Sequence, residues 1–218
     1  MVNILLQAAE DIRYLLKAGY PRDSAIGFVC DHHRISKAQR TLLSRVVFDA
    51  ATVLTRKSKV VDCGAIDEAC VWVDGFNVLF GVECIFLNEP VFVCDDGFFR
   101  DLRGAARSYK LMDTSFQAID AILSFFSDHN PSRVEFLFDD QISRSGELSA
   151  ECGKKLKSFK INGISRTSKR VDFELKQCID IVATSDGIII DKVDRVLNLV
   201  CCIFKKLGKT AKTLDEAL

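Results

Sequence analysis

Four short apolar runs in this chain each stop at an acid. Val71-Trp72-Val73 runs into Asp74, with Gly75 next and Asn77 three residues on. Val91-Phe92-Val93-Cys94 runs into Asp95-Asp96-Gly97, Val134 to Phe138 into Asp139-Asp140, and Ile181 to Ser185 into Asp186-Gly187. A buried parallel strand delivers a carboxylate to a sheet edge in this way. Carboxylates gathered at one edge repel each other, so they share protons or hold a cation, usually Mg²⁺ or Mn²⁺. Other residues suit anions. Ser143-Arg144-Ser145 precede a helix expected to reach about Phe159, so hydroxyls, an arginine and helix-start N–H groups could bind an anion; the alternative is simple capping with Arg144 solvated. Arg100 opens a basic stretch from Phe98 to Lys110, with Gly104, Arg107 and Tyr109, that either contacts phosphates and stacks a base or is a solvated loop. The run from Lys154 to Lys176 is the sizeable basic cluster after the first third, a phosphate track or a solvated face. Asp31-His32-His33 lacks a third ligand at a familiar spacing.

The elements that must position these groups alternate. Helical patterns at Asn77 to Leu87 and from Thr114 onward separate most of the apolar runs, so the strands should be parallel and present their C-terminal ends, with the acids, on one side. A last strand is expected at Arg195 to Val200. Residues 4 to about 57 read as helix throughout: Ile4 to Lys17, Arg22 to about His32, and a long third helix from the capping box Ser36-x-x-Gln39, with Leu43, Val46, Val47, Ala50, Val53 and Leu54 as its apolar stripe. This segment reads as a bundle rather than a DNA-reading unit. The polar stretch 58–68 reads as a linker. The division is therefore a helical segment at 1–60 and an α/β domain at 69–208.

Composition narrows the classes. Lys+Arg and Asp+Glu both number 30 in 218 residues, so the net charge is zero and affinity for a polyanion must come from a local patch. The nine cysteines contain no C-x-x-C pair, which argues against zinc and iron–sulfur frameworks; they read as buried, reduced thiols of a cytoplasmic protein. No apolar run approaches the ~20 residues that span a bilayer, so no membrane association is expected.

Asp74-Gly75-Phe76-Asn77 after a strand, with Thr184-Ser185-Asp186-Gly187 near the end, resembles the PIN-like superfamily and its NYN-type nuclease branch. More specifically, the chain resembles an uncharacterised archaeal and bacterial family of PIN-like proteins with a helical N-terminal segment. Arg13-Tyr14-Leu15-Leu16, Gly19-Tyr20-Pro21-Arg22, Asp95-Asp96-Gly97-Phe98 with Arg100-Asp101, and Ser143 to Leu148 carry that likeness over nearly the whole chain. The resemblance implies an α/β fold of the PIN-like three-layer α/β/α type, its central sheet mostly parallel. It implies a ribonuclease-like hydrolase that uses Mg²⁺ or Mn²⁺ on RNA. Asp74, Asp139 and Asp186 would be metal ligands, direct or through water. Asp95, Asp96 and Arg100 have no counterpart in ordinary PIN domains; they either complete the site in this family's own way, with Asp96 as a metal ligand, or bind a different substrate. Asn77 would orient Asp74 or a water. Thr184 or Ser185 would hold a water in the metal's outer sphere or a substrate phosphate oxygen. Arg100, Ser143, Arg144 and Ser145, read above from their own chemistry, would join them as substrate contacts. Where such proteins often carry a further acid, this chain has Ile188, and Glu83 comes early for the usual helical acid. Two alternatives stand beside the nuclease: a non-catalytic RNA- or protein-binding module, and a phosphatase or nucleotide-processing enzyme. The N-terminal helices could form a homodimer interface.

Overall fold

The protein is described here by a computed structural model, which covers residues 4–103 and 109–216. Among these, the helices are α1 (Ile4–Lys17), α2 (Arg22–His32), α3 (Lys37–Val46), α4 (Ala50–Ser58), α5 (Gly75–Leu87), α6 (Asp113–His129), α7 (Ser145–Ser158), α8 (Val171–Lys176), α9 (Gly187–Ile190) and α10 (Leu199–Lys206). The strands are β1 (Val60–Val61), β2 (Cys70–Asp74), β3 (Val91–Val93), β4 (Phe99–Asp101), β5 (Arg133–Asp139), β6 (Gly163–Ser168), β7 (Ile181–Ala183) and β8 (Val196–Leu197). The chain divides into two compact units, Met1–Ser58 with Pro90–Leu102 and Ala211–Leu218, and Lys59–Glu89 with Arg103–Thr210.

In the first unit the apolar stripes of the helices do what their spacing requires. Leu5, Ala8, Ile12, Leu43 and Val46 are buried together with Phe92 and Cys94. The Ser36 box closes as expected: Ser36 Oγ accepts from the Gln39 N–H, and Gln39 Oε1 accepts from the Ser36 N–H. The single long helix expected from Ser36 is instead two, α3 and α4. Val47 is extended, the Phe48 N–H donates to Asp95 Oδ2 (3.0 Å), and Asp49 Oδ1 caps the Thr52 N–H (2.9 Å). Side-chain acceptors thus replace helical carbonyls over three residues, and an apolar stripe cannot register that.

The run Val91–Val93 is not a strand of the parallel sheet. It pairs antiparallel with β4, Val91 opposite Asp101 and Val93 opposite Phe99. Asp95-Asp96-Gly97 is therefore the turn of a hairpin, with Gly97 at φ 82°. A run ending in two acids and a glycine suits a turn as well as a strand end, and only the pairing decides.

The second unit holds a six-stranded sheet in the order β1-β8-β7-β2-β5-β6, with every pairing parallel. The 58–68 stretch contributes β1. The last expected strand is shorter, β8, and gives way to α10. The basic run contains a strand, β6, that its charge obscured. Helices α5, α6, α7 and α10 pack as one contiguous group and α8 packs with α9. Right-handed crossovers place these two groups on opposite faces, because the chain leaves β2 toward β5 and leaves β7 toward β8, in opposite directions. Helix α5 follows β2 without a spacer. A Cβ at Gly75 would lie 2.5 Å from a Phe138 ring carbon and 2.7 Å from the Leu137 carbonyl oxygen, so only glycine permits that approach.

The cysteines differ from expectation. Cys63 and Cys202 form a disulfide, joining residues 139 apart in sequence. The other seven are free thiols. Sequence distance hides such a pair, since α10 folds back to bring Cys202 beside the segment after β1. No helix among the described residues is long and apolar enough to cross a membrane.

Candidate active site

Open α/β sheets bind ligands where neighbouring strands send their connections to opposite faces. In this sheet that point lies between β2 and β7. Asp74 is the last residue of β2. Val73 pairs with Ala183, so Thr184 sits beside Asp74 on the same face. The Thr184 hydroxyl donates to Asp74 Oδ2 (2.8 Å) and accepts from the Asp186 N–H (3.0 Å). Asn77, in the first turn of α5, accepts through Oδ1 from the Ser185 N–H (2.8 Å) and the Ser185 hydroxyl (2.9 Å). Asp186 Oδ1 accepts from the Ile188 N–H (2.7 Å). These bonds tie the end of β7 to the β2–α5 junction, so Asp74, Asn77, Thr184, Ser185 and Asp186 form one constellation. The Asn77 side chain acts on the β7 end, while its backbone N–H donates to the Asp74 carboxylate.

The electrostatics single out Asp74. Its side chain is buried, and desolvation pushes its pKa up to about 7; the negative charges of Asp186 and Asp172 push the same way, against the Thr184 hydrogen bond. Asp172, in the first turn of α8, escapes sequence reasoning because it sits inside the basic run and reads as a countercharge. It also lies 3.7 Å from the Lys176 ammonium. The signal that could have found it is an acid just after a strand end, but β6 was not legible as a strand.

Other expected residues are not gathered here. Asp139 ends β5 on the same face as Asp74, two residues beyond Asp74's partner Leu137, and its Oδ1 accepts from the Gln141 N–H (2.9 Å). Among the described residues no three acids, histidines or cysteines come together as a ready-made metal cage. The expected set of Asp74, Asp139 and Asp186 is thus not assembled. Asp96 and Arg100 belong to the first unit and are engaged with each other. Arg100 donates to both Asp96 oxygens (2.7 and 2.8 Å), Arg56 adds a third bond (2.8 Å), and the Phe98 N–H a fourth (3.2 Å). Burial alone would raise the Asp96 pKa, but the two guanidiniums hold it below the usual carboxylate range. A carboxylate so occupied is structural, which corrects both its assignment as a metal ligand and that of Arg100 as a substrate contact. The anion cradle at α7 is not formed as expected either. The Ser143 hydroxyl donates to the Tyr109 carbonyl (2.7 Å), Ser145 is buried, and neither caps the helix by its side chain. Arg144 takes the N-cap position at φ 64° and pairs with Glu147. Tyr109 is buried with its hydroxyl on Glu83, whose other oxygen accepts from Arg103 (2.8 Å), so these are packing partners rather than a stacking loop. Gly104 and Arg107 lie outside the described residues.

The donors around Asp74 are carboxylate, amide and hydroxyl oxygens, the set a hard divalent cation takes. Mg²⁺ keeps several waters and is commonly held by one or two carboxylates plus substrate phosphates, so Asp74 and Asp186 fit such an ion without a third acid.

Comparison with known proteins places the chain. Residues 63–202 match the family described as Domain of unknown function (DUF5616). The chain belongs to this DUF5616 family. Residues 4–59 match a second family, Protein of unknown function (DUF434), so the sheet-bearing and helical regions carry separate family signatures. The uncharacterized protein MJ0935 of Methanocaldococcus jannaschii is 33% identical over 205 residues, covering 93% of this chain and 98% of that protein. DUF434 and DUF5616 therefore stand against a relative matched over nearly its whole length. No solved structure matches the chain.

Proposed function

We propose that this protein is a PIN-like, divalent-cation-dependent phosphodiesterase that hydrolyses RNA at the β2/β7 edge. The observation that carries the reading is the buried Asp74 carboxyl, hydrogen-bonded by Thr184, with Asp186 and Asp172 close enough to raise its pKa. A structural carboxylate is normally given a cation by the fold, as Asp96 is; Asp74 has none among the described residues, and its neighbours are further acids. When bound, Mg²⁺ or Mn²⁺ would supply the missing charge and lower the pKa of a coordinated water. Asp74 and Asp186 would hold the ion. Thr184 fixes the orientation of Asp74 and the backbone of Asp186 together, and Asn77 locks the β7 end through Ser185. Ionised Asp74 is the form that binds a cation, so binding strengthens as pH rises through about 7.

The test is cleavage of a labelled RNA pool in Mn²⁺ or Mg²⁺ by the wild type, Asp74→Asn and Asp186→Asn. Cleavage by the wild type that chelator abolishes, and that falls to background in both variants, is the expected result. Equal cleavage by all three would sink the reading. The second reading, a non-catalytic RNA- or protein-binding module, draws on Ile188. This side chain is 63% exposed beside Asp186, in the place where an acid often stands in PIN-like proteins. RNA retained by wild type and variants alike, uncut and indifferent to chelator, would favour it. A phosphatase or nucleotide-processing activity would appear instead as turnover of small phosphate esters with the RNA left intact.

A further inference from the structure

The first unit holds a second charged cluster, of opposite sign. Three guanidiniums converge on the half-buried Phe48 ring: Arg22 at 4.2 Å from its centre, Arg56 at 4.5 Å and Arg100 at 5.2 Å. They come from three elements, α2, α4 and β4. Arg56 and Arg100 are bound to Asp96. Arg22 is different. It gives one N–H to the Ser44 carbonyl (2.7 Å), and among the described residues no carboxylate lies within ion-pair distance of it. A guanidinium carries five N–H donors in a rigid fork, so most of this fork is unspent on protein acceptors. Desolvation and the nearby charges of Arg56 and Arg100 lower the pKa of Arg22, and these outweigh the opposing pull of Asp23, which is exposed, and of Asp96. Arg22 is also the first residue of α2. The N-cap there is Pro21, which supplies no side-chain acceptor, so the positive end of the helix adds to the same cluster.

We propose that this cluster is a binding site for a phosphate group, seated on the Arg22 fork against Phe48 and within the field of Arg56 and Arg100. A phosphate supplies what three guanidiniums around the single carboxylate of Asp96 lack: further negative charge, and oxygens that accept parallel N–H bonds from the Arg22 guanidinium. The site belongs to the first unit and the β2/β7 acids to the second, and the proposal does not depend on those acids being catalytic.

The experiment follows the side-chain Nε–H resonance of Arg22 by NMR in the full-length wild type, as inorganic phosphate replaces chloride at constant ionic strength. A saturable shift at Arg22, absent at the exposed Arg34, is the expected result; no saturable shift overturns the proposal. Calorimetry with phosphate on Arg22→Gln should show affinity reduced by about tenfold or more. Equal affinity in that variant also overturns the proposal, and if the variant does not fold, the wild-type resonance decides alone. A short oligoribonucleotide that displaces the phosphate assigns the site to a nucleic-acid backbone; displacement only by a mononucleotide assigns it to a small phosphorylated ligand.

Discussion

Asp74 concentrates the chemistry and the cost of this site in one side chain. Its carboxyl ionises near pH 7 in the folded chain, against 3.8 for an unperturbed group. The native state therefore holds that proton more tightly than the unfolded state. The resulting stability is fully present below about pH 4 and is lost as pH rises through about 7. Asp74→Asn is neutral at every pH and does not suffer that loss. In chelator, thermal unfolding should show the variant gaining on the wild type between pH ~4 and ~7, by on the order of 2–4 kcal/mol, with a constant difference above. Mg²⁺ or Mn²⁺ added at alkaline pH should narrow the gap, because the ion binds only the folded wild type. Thr184→Val keeps the shape and removes the hydroxyl. Without that hydrogen bond the Asp74 pKa rises further and the Asp186 N–H loses its acceptor. Mn²⁺ affinity, followed by electron paramagnetic resonance, should fall about 10- to 100-fold, with its pH midpoint displaced upward. An unchanged affinity would remove Thr184 from the site.

At the scale of elements, the site exists because β2 hands over directly to α5. Gly75 makes that possible, and Gly75→Ala should cost about 1–3 kcal/mol in denaturant unfolding. The upper end is expected, since one of the two clashing groups is the Leu137 carbonyl of the β5 backbone, which cannot rotate away. The same shift would move Asn77 relative to Ser185, so the proposed RNA cleavage should fall along with stability. The β3–β4 hairpin serves a different purpose. Its turn carries Asp95 to Arg13 of α1 (2.7 Å) and to the Phe48 N–H, and Asp96 to Arg56 of α4. The acid pair expected at the end of a parallel strand is thus what orders the helices of the first unit around the arginine cluster.

For the whole molecule, the Cys63–Cys202 bond matters most. It closes a loop across the sheet-bearing unit, linking the first and last residues of the DUF5616 match. Cross-links over long loops restrict the unfolded chain most, so Cys63→Ser, or reduction of the wild type, should lower stability by about 2–5 kcal/mol. Thermal melts with and without reductant check this, with Cys63→Ser as the variant that reductant should leave unmoved. A chain of 218 residues with balanced charge and nine cysteines reads as thiol-bearing, and neither count nor spacing reveals that two of them meet.

Periodicity alone determined that this is an α/β chain with helices in front, because alternation of apolar runs with helical stripes is a local property of side-chain type. It also marked Asp74 and Asp186, since strand-end acids in parallel strands converge wherever the strands are neighbours; Asn77, Thr184 and Ser185 entered through the likeness to PIN-like proteins. Which strands are neighbours is not a local property. Register and pairing separated Asp95 and Asp96 into a hairpin, kept Asp139 out of the acid group, drew Asp172 toward Asp74, and joined Cys63 to Cys202. Each outcome depends on contacts between residues far apart in sequence, which only the packed tertiary structure specifies.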